Sequence, residues 1–153
     1  MTQKSVWGPA IWYLFHTLSY KIKDECFVSI KTELVQFIYR ICANLPCPEC
    51  AAHAIEYWKS QSKRVINNKG DLFRMLVDFH NTVNARHKKP AVSYEAAAKI
   101  YECARTRMVV EYFFQVYGTR ETNIKLMINN FQKSIIITDF LAWINKNSLC
   151  FDP

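Results

Sequence analysis

The chain has 153 residues, with 20 basic and 13 acidic side chains and a formal net charge of +7. This length fits one domain with its own apolar core, and no apolar run approaches the ~20 residues of a membrane-spanning helix. Only three glycines and five prolines occur, which argues against a many-stranded sheet and predicts helices joined by short loops. The basic residues are scattered apart from the run 86–89, so we interpret the charge as a solvated surface and not as a nucleic-acid site.

The first two helices are predicted from apolar spacing. Residues 7–20 form the first helix, with Pro9 in its first turn. Trp12 and His16 are four residues apart on this helix and therefore share one face. A second helix is predicted from about residue 29 to residue 43, because its apolar side chains recur at core spacing.

A sharp turn is predicted between the second and third helices. Pro46 pushes the residue before it out of helical geometry, so the chain must turn there. Cys47 and Pro48 then begin a third helix that ends at about residue 60, and a polar loop follows over residues 61–70.

Two more helices complete the first two thirds of the chain. The fourth is predicted over residues 71–87, and Ser93 is the predicted N-cap of the fifth, where three consecutive alanines favour helix. The buried side of the fourth helix is predicted to consist of Leu72, Phe73, Leu76, Val77, His80, Val83 and Asn84.

Beyond residue 106 the chain is rich in apolar and aromatic residues. Residues 107–117 form an apolar segment that Gly118 ends. Two separate helices are predicted after it, over residues 122–133 and 138–147, with Thr138 as the N-cap of the second.

The segment Cys47-Pro48-Glu49-Cys50 carries the clearest chemical signal. Two cysteines at this spacing close a disulfide within one turn, and a helix N-terminus stabilises the reactive thiolate. The N-terminal residues carry no secretory signal, and in that setting a close pair is more often catalytic or metal-binding than structural. A thioredoxin-like site is disfavoured because it expects a strand before the motif, whereas the preceding segment is helical.

Zinc is the alternative reading of the same cysteines. The spacing C-x4-C-x2-C-x2-H supplies four ligands of the right chemical type within twelve residues. The alternative function is therefore a zinc-binding helical interaction module that uses Cys42, Cys47, Cys50 and His53.

The fourth helix carries an unusual group of polar side chains. His80, Asn81 and Asn84 lie on an otherwise apolar helix, and each needs hydrogen-bond partners if it is buried. A heterocycle with many ring nitrogens and carbonyls would supply them, with Trp12 and His16 as a second wall and Lys88 or Lys89 near a phosphate. The alternative is that the histidine is an ordinary core residue.

Three motifs in this order resemble the Erv/ALR family of flavin-linked sulfhydryl oxidases. They are Trp7-Gly8-Pro9-x-x-Trp12-x-x-x-His16, Pro46-Cys47-x-x-Cys50, and His80-Asn81-x-Val83-Asn84-x-x-x-x-Lys89. The compact form is most similar to the versions encoded by large cytoplasmic DNA viruses. The resemblance implies an all-α fold, a four-helix bundle plus a short fifth helix that binds FAD, usually as a homodimer. It assigns residues 1–105 to this core and leaves 106–153 as a helical extension, packed on the core or at a subunit interface.

The resemblance also implies roles for individual residues. Cys47 and Cys50 are the catalytic pair, with Cys50 against the flavin and Cys47 exposed to incoming thiols. Electrons pass from the pair through FAD to oxygen, which gives hydrogen peroxide and leaves a disulfide in the substrate. The cofactor-binding residues it implies are Gly8, Trp12, His16, His80, Asn81, Val83, Asn84, Lys89 and Tyr101.

Partners and location follow from the resemblance alone. The expected substrates are thiol-containing proteins or a thioredoxin-like disulfide carrier, and a viral protein of this type is expected in the host cytoplasm and the virion. Many relatives shuttle electrons through a second cysteine pair. Here Cys150 is the lone candidate, with Cys26, Cys42, Cys103 or the same residue of a second subunit as its partner. The alternative is that these are free or buried thiols without a redox role.

Overall fold

The computed structural model describes residues 3–119 and 127–153, and within these ranges every regular element is helical. The prediction of an all-α fold is therefore confirmed. The helices are α1 (Lys4–Lys21), α2 (Asp24–Ala43), α3 (Pro48–Ser60), α4 (Lys69–Arg86), α5 (Tyr94–Glu102), α6 (Thr106–Tyr117) and α7 (Met127–Lys146), followed by a 3-10 turn over Ser148–Cys150.

Helix α1 is the centre of the molecule. It packs against α4, α5 and α6, while α2 packs against α3 and α7. Leu14, Phe15 and Leu18 of α1 are almost completely buried in the main apolar core, to which α2, α3, α4, α6 and α7 also contribute. Buried residues of α5 form a second, smaller cluster with residues of α4. Burial on several sides explains why α1 carries apolar residues around most of its circumference.

Two helix boundaries position the cysteine pair. Asn44 ends α2, where its side-chain amide donates to the Arg40 carbonyl at 2.8 Å. Pro46 prevents the helix from resuming at once, and α3 begins at Pro48 with Cys47 as its N-cap. The predicted start of α2 at residue 29 is wrong: the helix begins at Asp24, since an acidic first turn suits the positive end of the helix dipole.

The C-terminal helix also differs from the prediction. The predicted break before residue 138 is wrong, because α7 runs without interruption from Met127 to Lys146. Thr138 is not an N-cap but lies inside the helix, where its hydroxyl donates to the Ser134 carbonyl at 2.9 Å. Of the predicted helix 122–133, residues 122–126 lie outside the described residues.

The C-terminal residues are fastened to the turn between α1 and α2. Cys150 forms a disulfide with Cys26, with their Cα atoms 5.6 Å apart. The Lys23 amide donates to the Cys150 carbonyl at 2.7 Å, and the Asp152 amide donates to the Lys21 carbonyl at 2.8 Å. The extension therefore packs on the core at this end. Among the described helices, none is both long and apolar enough to cross a membrane.

Candidate functional site

The Cys47–Cys50 pair forms a disulfide at the N-terminus of α3. The two Cα atoms are 5.2 Å apart, and the Cys50 backbone amide donates to the Cys47 sulfur at 3.2 Å. Both residues are half-buried. A sulfur that caps a helix accepts from a free amide and lies in the positive field of the helix end, and both effects favour a thiolate once the bond is reduced.

The two cysteines face different surroundings. Cys50 lines a small, mostly apolar cavity of about 70 Å³, and Cys47 is not among its lining residues. Trp12, Phe15 and Phe79 form the aromatic walls of this cavity. Cys50 therefore borders this cavity and Cys47 does not, while both residues are partly buried against the core.

A larger cavity of about 640 Å³ adjoins the small one and shares Gly8, Trp12 and Val83 with it. Its size falls within the usual range of ligand pockets, about 300–1,000 Å³. Most of the predicted cofactor-binding residues meet here: Gly8, Trp12, His80, Val83, Asn84, Lys89 and Tyr101.

Three nearly parallel rings pack together beside this cavity. Trp12 stacks on His80 with ring centroids 4.1 Å apart, and the His16 ring lies 5.7 Å from Trp12 and 5.2 Å from His80. His16 Nε2 and His80 Nδ1 are 3.0 Å apart and share a hydrogen bond. Tyr101 of α5 tilts against the His16 ring at 4.7 Å. Residues from α1, α4 and α5 thus form one polar-aromatic wall.

Both imidazoles of this wall are neutral at physiological pH. Burial lowers the pKa of His16 to about 3, and the neighbouring His80 adds to the effect. Burial, with the charge of Lys89, lowers the pKa of His80 to about 4. His16 Nδ1 is buried without a hydrogen-bond partner among the described residues. An unpaired buried polar atom is costly, and His16 does not line the larger cavity, so this atom marks strain within the wall.

Asn81 lies apart from the other predicted cofactor-binding residues. Its side-chain amide donates to the Val92 carbonyl and accepts from the Val92 amide, each at 2.9 Å. The side chain therefore fixes the loop between α4 and α5 and does not line the larger cavity. The spacing on α4 did not reveal this, because a side chain that binds backbone eleven residues away leaves no local signal.

The sequence interpretation missed residues at the cavity rim. Lys4 Nζ and His87 Nε2 are 2.9 Å apart, joining the first turn of α1 to the end of α4. Tyr13 also lines the larger cavity and contacts the edge of Tyr101. Tyr13 follows Trp12 directly, and Lys4 is one helical turn before Gly8. These positions on α1 could have indicated that both residues lie near the cavity.

The zinc alternative is not supported by the structure. In the described part of the chain, no three His, Cys, Asp or Glu side chains are grouped so that they hold a metal ion. Cys42 is buried as a free thiol, and burial raises its pKa to about 12, which opposes the thiolate that zinc requires. Cys47 and Cys50 are joined to each other.

The second disulfide lies far from this site. Cys26 is in the first turn of α2, whereas Cys42 is near its other end and lines the same small cavity as Cys50. At 1.5 Å per residue, the helix separates Cys26 from Cys42 by about 24 Å. Within one chain, Cys26–Cys150 is therefore too far away to exchange directly with Cys47–Cys50.

Comparison with known proteins decides the family. Residues 9–103 match the Erv1 / Alr family. The chain belongs to the Erv1/Alr family. The match begins inside α1 and ends at residue 103, directly after α5.

Several viral members of the Erv1/Alr family are similar to this chain. The FAD-linked sulfhydryl oxidase of African swine fever virus is 32% identical over 96 residues, which cover 63% of this chain and 80% of that protein. The 096R protein of Invertebrate iridescent virus 3 is 32% identical over 97 residues, covering 63% and 66% of the two chains. The 347L protein of Invertebrate iridescent virus 6 is 29% identical over 100 residues, covering 61% and 90%. No solved structure matches the chain.

Proposed function

We propose that this Erv1/Alr protein is a FAD-dependent thiol oxidase in which Cys47 meets the substrate and Cys50 faces the flavin. The observation that carries the assignment is the placement of the pair. Cys47 and Cys50 form a disulfide at a helix N-terminus. Cys50 lines an aromatic cavity, and this cavity adjoins a second one of the size of a ligand pocket. The family and its viral relatives support the same activity.

The residues of the larger cavity fit FAD. Trp12 and His80 supply flat rings for an aromatic ligand, and His16, which does not line the cavity, holds the His80 ring through a hydrogen bond. Lys89 and Lys4 line the rim, where positive charge suits a pyrophosphate. Bound FAD would accept two electrons from the cysteine pair and pass them to oxygen, giving hydrogen peroxide.

The protein's own part in the reaction is thiol–disulfide exchange. A substrate thiolate attacks the Cys47 sulfur, the Cys47–Cys50 bond breaks, and Cys50 leaves as a thiolate. A second substrate thiol then displaces Cys47 and closes the substrate disulfide. The N-terminus of α3 stabilises the leaving thiolate, since the helix end is positive and Cys50 is in its first turn. The cavity beside Cys50 is lined mostly by apolar side chains.

The remaining expectations are part of the same proposal. The physiological partners are thiol-containing proteins or a thioredoxin-like disulfide carrier, and the protein acts as a homodimer in the host cytoplasm and the virion. Residues 1–105 act as the oxidase core. Residues 106–153 stabilise it, which the joint burial of α6 and α7 residues with the core supports.

Purified protein tests this function directly. We expect flavin absorbance that stays with the protein through gel filtration and bleaches when dithiothreitol is added without oxygen. Oxygen should restore the colour with production of hydrogen peroxide. A colourless protein that consumes no oxygen with thiols would contradict the function.

The flavin wall has its own test. His80→Ala removes the ring that stacks on Trp12, so we expect a lower flavin content per chain after gel filtration. Arg64→Ala is the control. Arg64 precedes α4, its guanidinium pairs with Asp78 at 2.9 Å, and it does not line the larger cavity. Equal flavin content in His80→Ala and wild type would show that this histidine only packs the core.

A further inference from the structure

His53 lies close to the Cys47–Cys50 pair and has no role in the reaction proposed above. It lies on α3, three residues after Cys50 and therefore on the same side of the helix. Both side chains line the small cavity. Neighbours at this helical spacing have Cβ atoms about 5–6 Å apart, close enough for an imidazole to reach the neighbouring sulfur.

The reaction is helped by a group that keeps Cys50 ionised. When substrate reduces the pair, Cys50 leaves as a thiolate, and at equilibrium each of the two cysteines can then bind one proton. Electrons leave from a thiolate and not from a thiol, so a proton on Cys50 must first move elsewhere. The cavity walls beside Cys50 are mainly aromatic and aliphatic, so a proton acceptor within the cavity is valuable.

The other ionisable groups at this cavity are poor acceptors for that proton. The neighbouring His16 and His80 do not line this cavity and are hydrogen-bonded to each other. Burial raises the pKa of the Cys42 thiol, and His87 is held by Lys4 at the rim. The remaining charged groups near the cavity are Lys4 of α1, Arg86 of α4, and Glu49 of α3, whose charge acts on His87.

We propose that His53 accepts the proton of the Cys50 thiol and holds the resulting thiolate beside its imidazolium. This inference rests on the proposed function and adds the residue that sets the ionisation of Cys50. The step is balanced: the Cys50 S–H bond breaks and an N–H bond forms on His53. The Cys47–Cys50 bond then re-forms as two electrons leave for FAD, and the protons of Cys47 and His53 are released with them.

The experiment measures Cys50 ionisation without electron transfer. A Cys47→Ser protein leaves Cys50 as a free thiol, and iodoacetamide pulses across the pH range report its thiolate fraction when the Cys50 peptide is quantified by mass spectrometry. Cys103 is free and exposed, so its peptide gives an internal reference for the reagent. We compare Cys47→Ser alone with the same protein carrying His53→Gln.

We expect His53→Gln to raise the midpoint pH of Cys50 alkylation by about one unit or more, because an adjacent cation stabilises a thiolate by that amount. Glu56→Gln is the matched control, since Glu56 is exposed on the next turn of α3 and does not line the cavity. His53→Asn serves as the second variant where glutamine lowers the folded fraction.

An unchanged Cys50 midpoint in both His53 variants would overturn the proposal, and so would an equal shift in Glu56→Gln. This failure is distinct from failure of the oxidase function. A protein without flavin absorbance refutes the function, whereas an unshifted midpoint in a yellow protein refutes only the role of His53.

Discussion

The two ends of α2 each carry a disulfide, and the surroundings of the two bonds differ. Near the C-terminal end, Cys47–Cys50 caps a new helix, and one of its sulfurs faces a cavity. At the N-terminal end, Cys26–Cys150 lies among backbone hydrogen bonds between residues 21–23 and 150–152. The first bond joins cysteines three positions apart, and the second joins cysteines 124 positions apart.

We interpret the first bond as the reactive disulfide and the second as a structural one. Closing a short loop contributes little stability, whereas closing a long loop restricts the unfolded chain strongly. Cys26 and Cys50 are both in the first turn of a helix, so the helix end does not distinguish the two bonds. What distinguishes them is the length of the loop that each closes and the aromatic cavity that Cys50 lines. We therefore expect mutation of the Cys47–Cys50 pair to affect activity, and mutation of the Cys26–Cys150 pair to affect stability.

The largest expected effect is on activity at the C-terminal end of α2. Cys47→Ala and Cys50→Ala should each abolish oxygen consumption with a thiol substrate, because neither variant can form the disulfide that receives electrons. Flavin content should stay near that of the wild type, since the walls of the larger cavity are unchanged. Substantial oxygen uptake by either variant would show that the site is elsewhere.

Removal of the other disulfide should affect stability and leave the chemistry intact. Cys26→Ser with Cys150→Ser is expected to lower the free energy of unfolding by about 2–4 kcal/mol, as measured by urea denaturation. Initial rates of thiol oxidation at low temperature should stay within about twofold of the wild type, given the ~24 Å between the two ends of α2.

The control for this pair is Cys103→Ser, which changes a free, exposed thiol and should affect neither property. Loss of oxidase activity in the folded double variant would show that Cys26–Cys150 carries electrons to Cys47, within a chain or between two subunits.

The histidine pair predicts a pH dependence. Burial lowers the pKa of His16 to about 3 and that of His80 to about 4, whereas both are near 6.5 in the unfolded chain. Between these values the unfolded chain binds protons that the folded chain does not, so stability falls as the pH drops below about 6.5. We expect the free energy of unfolding to fall by about 2 kcal/mol or less between about pH 6.5 and about pH 5.5, as measured by urea unfolding. His16→Gln should reduce the dependence of this free energy on pH. An unchanged dependence would show that His16 is not the buried neutral histidine responsible.

The sequence predicted the features that depend on local spacing. The all-α fold, Cys47 and Pro48 at the start of α3, and the Ser93 cap of α5 were all predicted and are confirmed. The prediction of a FAD-linked thiol oxidase is also confirmed by the family and its relatives. The roles of the individual cofactor-binding residues stay predictions.

Features that depend on distant partners were not predictable from spacing. Cys150 had several possible partners in the sequence, and only the packing of the C-terminus on the α1–α2 turn selects Cys26. The predicted break before Thr138 failed because threonine resembles a cap by type, while its hydroxyl satisfies a carbonyl inside α7. The resemblance assigns Asn81 to the cofactor, and this stays a prediction; its contacts with the backbone of Val92, eleven residues away, are not visible in the local spacing.

The smallest expected effect tests whether the extension supports the reactive end. Tyr117 of α6 is almost completely buried, and its hydroxyl donates to the Asn44 carbonyl at 3.1 Å, three residues before Cys47. Tyr117→Phe removes this hydrogen bond and keeps the ring, so we expect a loss of about 1 kcal/mol in urea unfolding. Tyr112→Phe, on the exposed side of the same helix, is the matched control. If the extension also holds the turn that carries Cys47 in place, Tyr117→Phe will oxidise thiols more slowly than the wild type. If only the free energy of unfolding changes, the extension stabilises the fold and does not support the reaction.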